Sequence, residues 1–319
     1  MDIEQMFPSV VGQKTLLNKL KFFLDIQNVT GILPPILITG QRGGGKNTLG
    51  NAIIRNLYSL KDKTKHKTAI EINCSSIKTA NQFFEEIVDV YLVDKDVTLI
   101  LDEIHAWEGT DLIDVFLSIW NTKNGQVNQY IHNGNTYIMD LRRISWIALT
   151  SEANKLPETI ISRLEVFQLE ELSLDDLSRI VLKNLNEIKV TNNELIKEVA
   201  STCRRNGRES YKLANNIYSH LKKNKKDTFD YEDWHEIRKS LNIRPLGVNN
   251  IEYRILTYLS KHNNGVSLSK LSSALQMTSD ATRLGFERYL LGNDFLEVVN
   301  AKGRILTKKG RDYLTEVKE

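Results

Sequence analysis

The sequence predicts an α/β domain built on a parallel sheet, followed by a helical domain and a C-terminal winged helix. Three observations carry this expectation. Up to about residue 170, short apolar β-rich runs alternate with helix-patterned segments, as crossover-connected parallel strands require. From Ser173 to about Leu241 every segment reads as helix. After a linker containing Pro245 and Gly247, three short helices precede two extended arms. The expected domains are residues 1–171, 172–243 and 244–319.

Taken in order, TLLNKLKFFLDIQN places apolar residues at helical spacing. PPILITG is a short strand ending at Gly40, a run of glycines follows, and NTLGNAIIRNLYSL is helical again. TAIEINCSS reads as a strand and ANQFFEEIVDVYL as a helix. VTLILDEIHAW holds a continuous apolar run, which suits a strand buried on both faces. TDLIDVFLSIWNT is a helix with Thr110 as its expected N-cap. NQYIHNGNTYIMDL gives two extended arms about an Asn133–Gly134 turn. ISWIALTSE is another buried strand. SLDDLSRIVLKNLNEI, NNELIKEVASTC, RESYKLANNIYSHLKK and DYEDWHEIRKSL form the helical domain. NIEYRILTYLSKH, SLSKLSSALQM and DATRLGFERYLLGNDF are the helices of the winged helix, and LEVVN and RILTKKG are the arms of its wing.

Composition narrows the function classes. The chain has 319 residues and a net charge of only +3, so any nucleic-acid surface is local rather than global. Two cysteines, Cys74 and Cys203, give neither metal-ligand spacing nor a disulfide framework. No apolar run reaches membrane-spanning length, and the polar start is unlike a signal peptide. A cytoplasmic protein without a membrane partner is expected.

The chemistry concentrates in GQRGGGKNTLG, Gly40 to Gly50. Gly40, Gly43 and Gly45 let backbone N–H groups approach phosphate oxygens at the start of a helix, and Lys46 reaches the outer phosphates. LILDEIH puts Asp102 and Glu103 at the carboxyl end of a strand, where ligands sit in open α/β sheets. Asp102 is expected to hold Mg²⁺, and Glu103 to polarise the attacking water as general base. Asn47 stands where a hydroxyl residue normally ligates the metal, with Thr48 one place late. Magnesium tolerates misplaced ligands poorly. Losing one good ligand costs roughly 1.5–3 kcal/mol, about ten- to a hundredfold in affinity. Nucleotide binding is expected to survive while metal placement and turnover suffer.

These motifs, with ALTSEA and ISRLE, resemble the ATPase motor of the RuvB family, AAA+ proteins that drive Holliday-junction branch migration with the partner RuvA. The segment VVGQ, Val10 to Gln13, is similar to that family's motif near the nucleotide, which places Val11 at the cofactor. GVSLSKLSSALQM, ERYLLGNDFLE and AKGRILTKKG resemble its winged helix. The resemblance runs along nearly the whole chain. It implies an AAA+ P-loop domain, a helical lid and a DNA-binding winged helix, with ATP or ADP and Mg²⁺ as cofactors. Thr150 and Ser151 match the pair that senses the γ-phosphate. Arg163 matches the arginine finger offered to a neighbouring subunit's nucleotide, and Arg208 matches the arginine that reaches from the lid onto the phosphates. A hexameric ring of this chain is implied, and so is a RuvA-like partner at the 129–140 hairpin. There Tyr130, Ile131, Tyr137 and Ile138 either face the partner or cover the sheet.

The chain departs from the family pattern at several points. Gln41 and Arg42 replace two prolines, Asn47 replaces threonine, and Glu152 replaces an arginine. The sequence also begins almost at VVGQ, so the arm that helps the family hold adenine is expected to be missing. Near the C-terminus Lys302, Arg304, Lys308 and Lys309, with Arg311, concentrate positive charge suited to sequence-independent phosphate contacts with double-stranded or branched DNA. The leading expectation is an ATP-driven DNA translocase resembling the branch-migration helicase. The rivals are a DNA loader or remodeller, and a nucleotide-switched scaffold with weak hydrolysis because of Asn47.

Overall fold

The structure is a computed structural model that describes residues 2–121, 127–262 and 264–317. The chain divides into two compact units, Met1–Ile180 with Arg205–Tyr211, and Val181–Arg204 with Lys212–Glu319.

The first unit is organised by a five-stranded sheet in the order β2-β3-β6-β1-β7: β1 Ile36–Thr39, β2 Thr68–Asn73, β3 Val97–Asp102, β6 Ile144–Thr150 and β7 Glu165–Gln168. All neighbouring pairs are parallel. Successive strand residues point to opposite faces, and the apolar residues divide accordingly. Leu37, Leu99, Leu101, Trp146 and Ala148 join one core with Phe83, Trp107, Phe116 and Trp120. Ile36, Ile38, Ile100, Ile147 and Leu149 join the other with Leu20 and Leu24 of the helix Lys14–Thr30, and with Leu49 and Ile53. β6 is buried throughout, as its continuous apolar run predicts, whereas the edge strand β2 leaves Thr68, Ala69 and Glu71 exposed.

Two helix expectations change. The helix after the glycine run spans Lys46–Ile54 and stops short of the predicted end. Beyond it Tyr58 pairs with His66 in a β-bridge and stacks on its ring at 4.5 Å. The helix expected over TDLIDVFLSIWNT spans Leu112–Ile119 and is preceded by Asp111 rather than capped by Thr110. The Thr110 hydroxyl instead donates to the Trp107 carbonyl at 2.8 Å. Thr122 of that segment lies outside the described residues.

β4 (Val127–His132) and β5 (Asn135–Asp140) form the predicted hairpin, with positive φ at Asn133 and Gly134 as a two-residue primed turn requires. Side-chain alternation sends the residues of this hairpin to two faces. Tyr130, His132 and Tyr137 pack against Phe84, with ring centroids 5.2, 4.3 and 4.7 Å away. Ile131 and Ile138 face outward, 71% and 63% exposed.

The second unit holds two apolar cores. One gathers Val181, Leu185, Val199, Ile217, Leu221 and Trp234. Its helices include Asn193–Ser201 and Tyr231–Leu241, the latter opened by a reciprocal Asp230/Asp233 capping box. The all-helical expectation misses one detail: β8 (Lys189–Val190) and β9 (Thr228–Phe229) pair in parallel. The other core gathers Val248, Ile255, Leu271, Leu290, Phe295 and Tyr313. It is built by the helices Asn250–Ser260 and Leu268–Leu275, a third helical run from Ser279 to Gly292, and the antiparallel pair β10 (Leu296–Val299) and β11 (Gly303–Leu306). A last helix, Lys308–Glu316, follows. Lys308 and Lys309 therefore lie on a helix with Arg311, not on an arm of the wing.

A polar joint ties these two parts of the second unit together. Arg204 donates to both oxygens of Glu252, at 2.9 and 2.6 Å, and its guanidinium lies 3.7 Å over the Tyr289 ring. Gly247, at φ +69°, runs so close to the backbone that an added Cβ would lie 2.2 Å from the Thr202 carbonyl oxygen. Only glycine fits there without displacing backbone.

Candidate active site

The glycine run turns from β1 into the helix Lys46–Ile54. Gly43 and Gly45 both have positive φ, and Gly45 precedes the helix without any side-chain cap. The first N–H groups of that helix are thus left for an anion. Lys46 is 6% exposed, and its ammonium donates to the Gly40 and Gln41 carbonyls at 3.0 and 3.1 Å. Burial lowers its pKa; Glu103 and Asp102 act to raise it, and Arg42 and Arg208 act with the burial. The loop thus holds a desolvated cation in the field of two carboxylates and two further cations.

Asp102 ends β3, paired in register with Asn73 of β2. Its carboxylate has no hydrogen-bond or ion-pair partner among the described residues. Glu103 follows in the left-handed region, φ 55°, ψ 48°, which is uncommon for a residue other than glycine. Its Oε2 accepts from the Ser151 hydroxyl at 3.2 Å, so the two loops after β3 and β6 meet here. Thr150 is fully buried, and its hydroxyl oxygen accepts from the Glu152 N–H at 3.0 Å.

The segment Arg205–Arg208 also reaches the loop within the first unit. The Asn206 amide donates to the Arg42 carbonyl at 3.1 Å, and the Arg208 N–H to the Gly43 carbonyl at 3.3 Å. A Cβ on Gly43 would fall 2.2 Å from the Asn206 amide oxygen, so glycine at this position admits the segment. The Arg208 side chain is exposed. A cleft of about 350 Å³ opens beside the loop, bordered by Gly40, Arg42, Gly44, Gln168, Leu172 and Arg205, within the size range of small-molecule sites. The VVGQ segment is tied to the same neighbourhood. The Gln13 amide donates to the Glu170 carbonyl at 2.9 Å and accepts from its N–H at 3.0 Å. Val11, two residues earlier, is half-buried.

Each side-chain departure from the expected loop pattern has a carboxylate partner. Gln41 donates to Glu171 at 2.7 Å, Arg42 lies 3.7 Å from Glu152, and the Asn47 amide donates to Glu71 at 3.2 Å. Arg42 and Glu152 are two separate departures in the sequence; in the structure they face each other. Thr48 is exposed on the helix and makes no side-chain hydrogen bond among the described residues.

Arg163, expected to serve a neighbouring copy's nucleotide, lies apart from this chain's own loop. Arg163 follows the short helix Glu158–Ile161 and donates back to the Thr159 carbonyl, and its Nε is buried without a partner among the described residues. It shares no hydrogen bond or ion pair with the loop. In the winged helix, the expectation that Arg304 faces phosphate is corrected. Its guanidinium is 14% exposed and donates to both oxygens of Glu287, itself 1% exposed, at 2.9 and 3.2 Å. β11 turns this side chain inward to neutralise a buried acid. Lys302 at the wing tip and Lys308 are exposed, while Lys309 lies 5.5 Å over the Phe295 ring.

Sequence reasoning missed His105, Glu71 and Asn206. Asn206 was legible as an N-cap, since its side-chain oxygen accepts from the N–H groups of Arg208 and Glu209. His105 stands in LILDEIH, two residues after Glu103, whereas Glu71 carries no local signal and is brought to Asn47 by the fold of β2 beside the loop.

Residues 33–131 match the AAA domain family, and residues 245–315 match the RuvB C-terminal winged helix domain. The chain is 23% identical over 317 residues to the Holliday junction branch migration complex subunit RuvB of Ureaplasma parvum, covering 97% of this chain and 95% of that protein. It is 24% identical over 318 residues to the subunit of the same name from Ehrlichia ruminantium, covering 96% and 90%. Its fold is similar to the Thermotoga maritima RuvB Holliday junction branch migration motor, with a TM-score of 0.72 and 19% identity over 97% of this chain and 98% of that one. A point variant of the same Thermotoga protein gives a TM-score of 0.73 and 20% identity, covering 97% of both chains.

Proposed function

We infer that this chain, a divergent RuvB-like AAA+ protein, is an ATP-driven DNA motor that works as a ring of its own copies on duplex or branched DNA. The single observation carrying this reading is the convergence on one loop: buried Lys46, Glu103 hydrogen-bonded to Ser151, and the Arg205–Arg208 segment. The likeness to RuvB proteins along nearly the whole chain supports the choice of a Holliday junction as substrate.

The residues suit ATP or ADP. The uncapped helix N-terminus and the Gly43–Gly45 backbone offer N–H groups to phosphate oxygens. Lys46 exchanges its loop carbonyls for the outer phosphates, and Arg208 adds a second cation. Asp102 and Asn47 would hold Mg²⁺, which would neutralise phosphate charge when bound. Glu103 takes the proton of the attacking water, and Thr150 and Ser151 fix the strand end that carries this geometry. Arg163 completes the site of an adjacent copy, where such a residue contributes about 10³–10⁵ in rate. The domains acting here are residues 1–171, 172–243 and 244–319. Lys302, Lys308 and Lys309 contact DNA phosphates without reading bases, and the outward Ile131 and Ile138 suit a RuvA-like partner. The buried Cys74 and Cys203 suit a cytoplasmic setting.

One observation favours a second reading, the nucleotide-switched scaffold. The Asn47 Nδ2 donates to Glu71 at 3.2 Å, which ties a longer, planar amide to β2 where a short hydroxyl would face the metal. The two readings separate in an ATPase assay with Mg²⁺, with and without a four-way DNA junction. The motor reading expects turnover that Glu103→Gln abolishes and Asn47→Thr raises about ten- to a hundredfold. Nucleotide binding without turnover in both the wild type and Asn47→Thr would exclude the motor and leave the scaffold.

A further inference from the structure

We propose that His105 is a positioning residue for the general base Glu103, braced from its far side by Glu152. The proposal rests on the ATPase reading above. His105 follows Glu103 by two residues, in the short turn Ile104–Trp107. Its ring side chain is 12% exposed and bridges two carboxylates through opposite nitrogens. Nδ1 lies 3.2 Å from Glu103 Oε2 and 2.9 Å from the Thr150 hydroxyl oxygen, and Nε2 lies 3.4 Å from Glu152 Oε1. Glu152 is itself fixed by Lys155 at 2.7 Å, with Arg42 of the glycine loop at 3.7 Å.

The arrangement treats the two oxygens of Glu103 differently. Oε2 accepts from the Ser151 hydroxyl and lies within ion-pair distance of His105 Nδ1, which anchors it a second time when the ring is protonated. Oε1 has no hydrogen-bond partner among the described residues and is the one left to take a proton from water. A carboxylate on a flexible side chain loses rotational freedom when one oxygen is anchored twice, which is how a supporting residue preorganises a base without touching substrate. Glu152 also gives the chain a route from the loop to the base, since Arg42 and His105 meet on the same oxygen, Oε1. The replacement of an expected arginine by Glu152 thereby acquires a role: an acid at this position is what fixes the imidazole and engages Arg42.

The test uses the full chain, steady-state ATP turnover with Mg²⁺, ADP binding, and side-chain ¹⁵N NMR of the six histidines. His105→Ala should lower kcat about 10- to 100-fold, the scale of a misaligned general base, with KM for ATP and ADP affinity within about twofold of wild type. His105→Asn, whose amide N–H replaces the Nδ1 side, should recover more turnover than His105→Gln, which replaces the Nε2 side. In the nucleotide-free chain, the His105 resonance should move in both Glu103→Gln and Glu152→Gln. A folded His105→Ala with wild-type kcat, a loss confined to KM or ADP affinity, or a His105 resonance indifferent to Glu103→Gln overturns the positioning role. If alanine does not fold, equal turnover in the Asn and Gln variants overturns it instead. A wild-type chain that neither binds ADP nor hydrolyses ATP overturns the ATPase reading and this role with it. Normal wild-type turnover beside an unaffected variant overturns this role alone.

Discussion

Removing the Arg204 guanidinium should destabilise the second unit by about 3–5 kcal/mol, the usual cost of stranding one partner of a buried ion pair. Arg204→Ala leaves Glu252, which is fully buried, without the cation that meets both of its oxygens. One charge-stabilising hydrogen bond survives, from the Asn249 N–H at 2.9 Å to Glu252 Oε2, and this pulls the cost toward the lower end. Loss of the cation from the Tyr289 face, 3.7 Å away, adds on the order of 1 kcal/mol in the other direction. Urea denaturation of the full chain, with amide exchange read on the helix Asn250–Ser260, measures the effect. Replacing both residues, as Arg204→Met with Glu252→Leu, should recover most of the loss, because the uncompensated charge goes with its partner. A loss under about 1 kcal/mol, or no recovery in the double variant, would mean that the pair is not what joins the helical core to the winged helix.

Three other outcomes follow from particular side chains. Lys67 is 3% exposed and donates to the Arg142 carbonyl and the Ser145 hydroxyl, and burial lowers its pKa to about 8. Between pH 8 and its ordinary value the unfolded chain binds the extra proton, so the stability of wild type relative to Lys67→Met should rise with pH through that window, by roughly 3 kcal/mol in all, as chemical denaturation across the pH range would record. At the hairpin, Ile131→Ser with Ile138→Ser should change stability by less than about 0.5 kcal/mol yet weaken binding of a RuvA-like protein, whereas Tyr137→Ser, which strips a ring from Phe84, should lower the melting temperature. In the winged helix, replacing Lys302, Lys308 and Lys309 by alanine should weaken duplex binding on any sequence and reduce the salt slope by about one for each phosphate that is no longer neutralised. Arg304→Ala should instead lower stability, because Glu287 loses its bidentate partner.

The sheet was readable because burial on both faces writes itself as continuous apolar runs, as in VTLILD and ISWIALT. The hairpin turn was readable because Asn133–Gly134 supplies the two positive φ values that few other pairs tolerate. The loop residues Gly43, Gly45 and Lys46 were readable because their spacing is dictated by the phosphate they would wrap. What the sequence hid depends on long-range register or on side-chain direction. Glu71 meets Asn47 across two neighbouring elements, and Glu152 meets Arg42 across more than a hundred residues of chain. Arg304 looks like a surface cation from its basic neighbours, but the period of a strand sends it inward toward Glu287, and no local pattern announces a buried acid on a distant helix. Lys308 and Lys309 continue the apparent strand in composition, while Thr307 ends it by capping the next helix through the Gly310 N–H.

The central claim is that nucleotide is hydrolysed at a site shared between copies of this chain. The most direct measurement mixes two inactive variants, Lys46→Ala and Arg163→Ala, and follows ATP turnover with Mg²⁺ on a four-way junction. Each alone should be inactive, the first for want of phosphate binding and the second for want of a neighbour's arginine. In a random mixed ring about a quarter of the head-to-tail interfaces combine an intact Lys46 with an intact Arg163, so activity should return on mixing in proportion to those interfaces. No recovery on mixing, together with full turnover of Arg163→Ala by itself, would contradict the shared site and with it the ring motor.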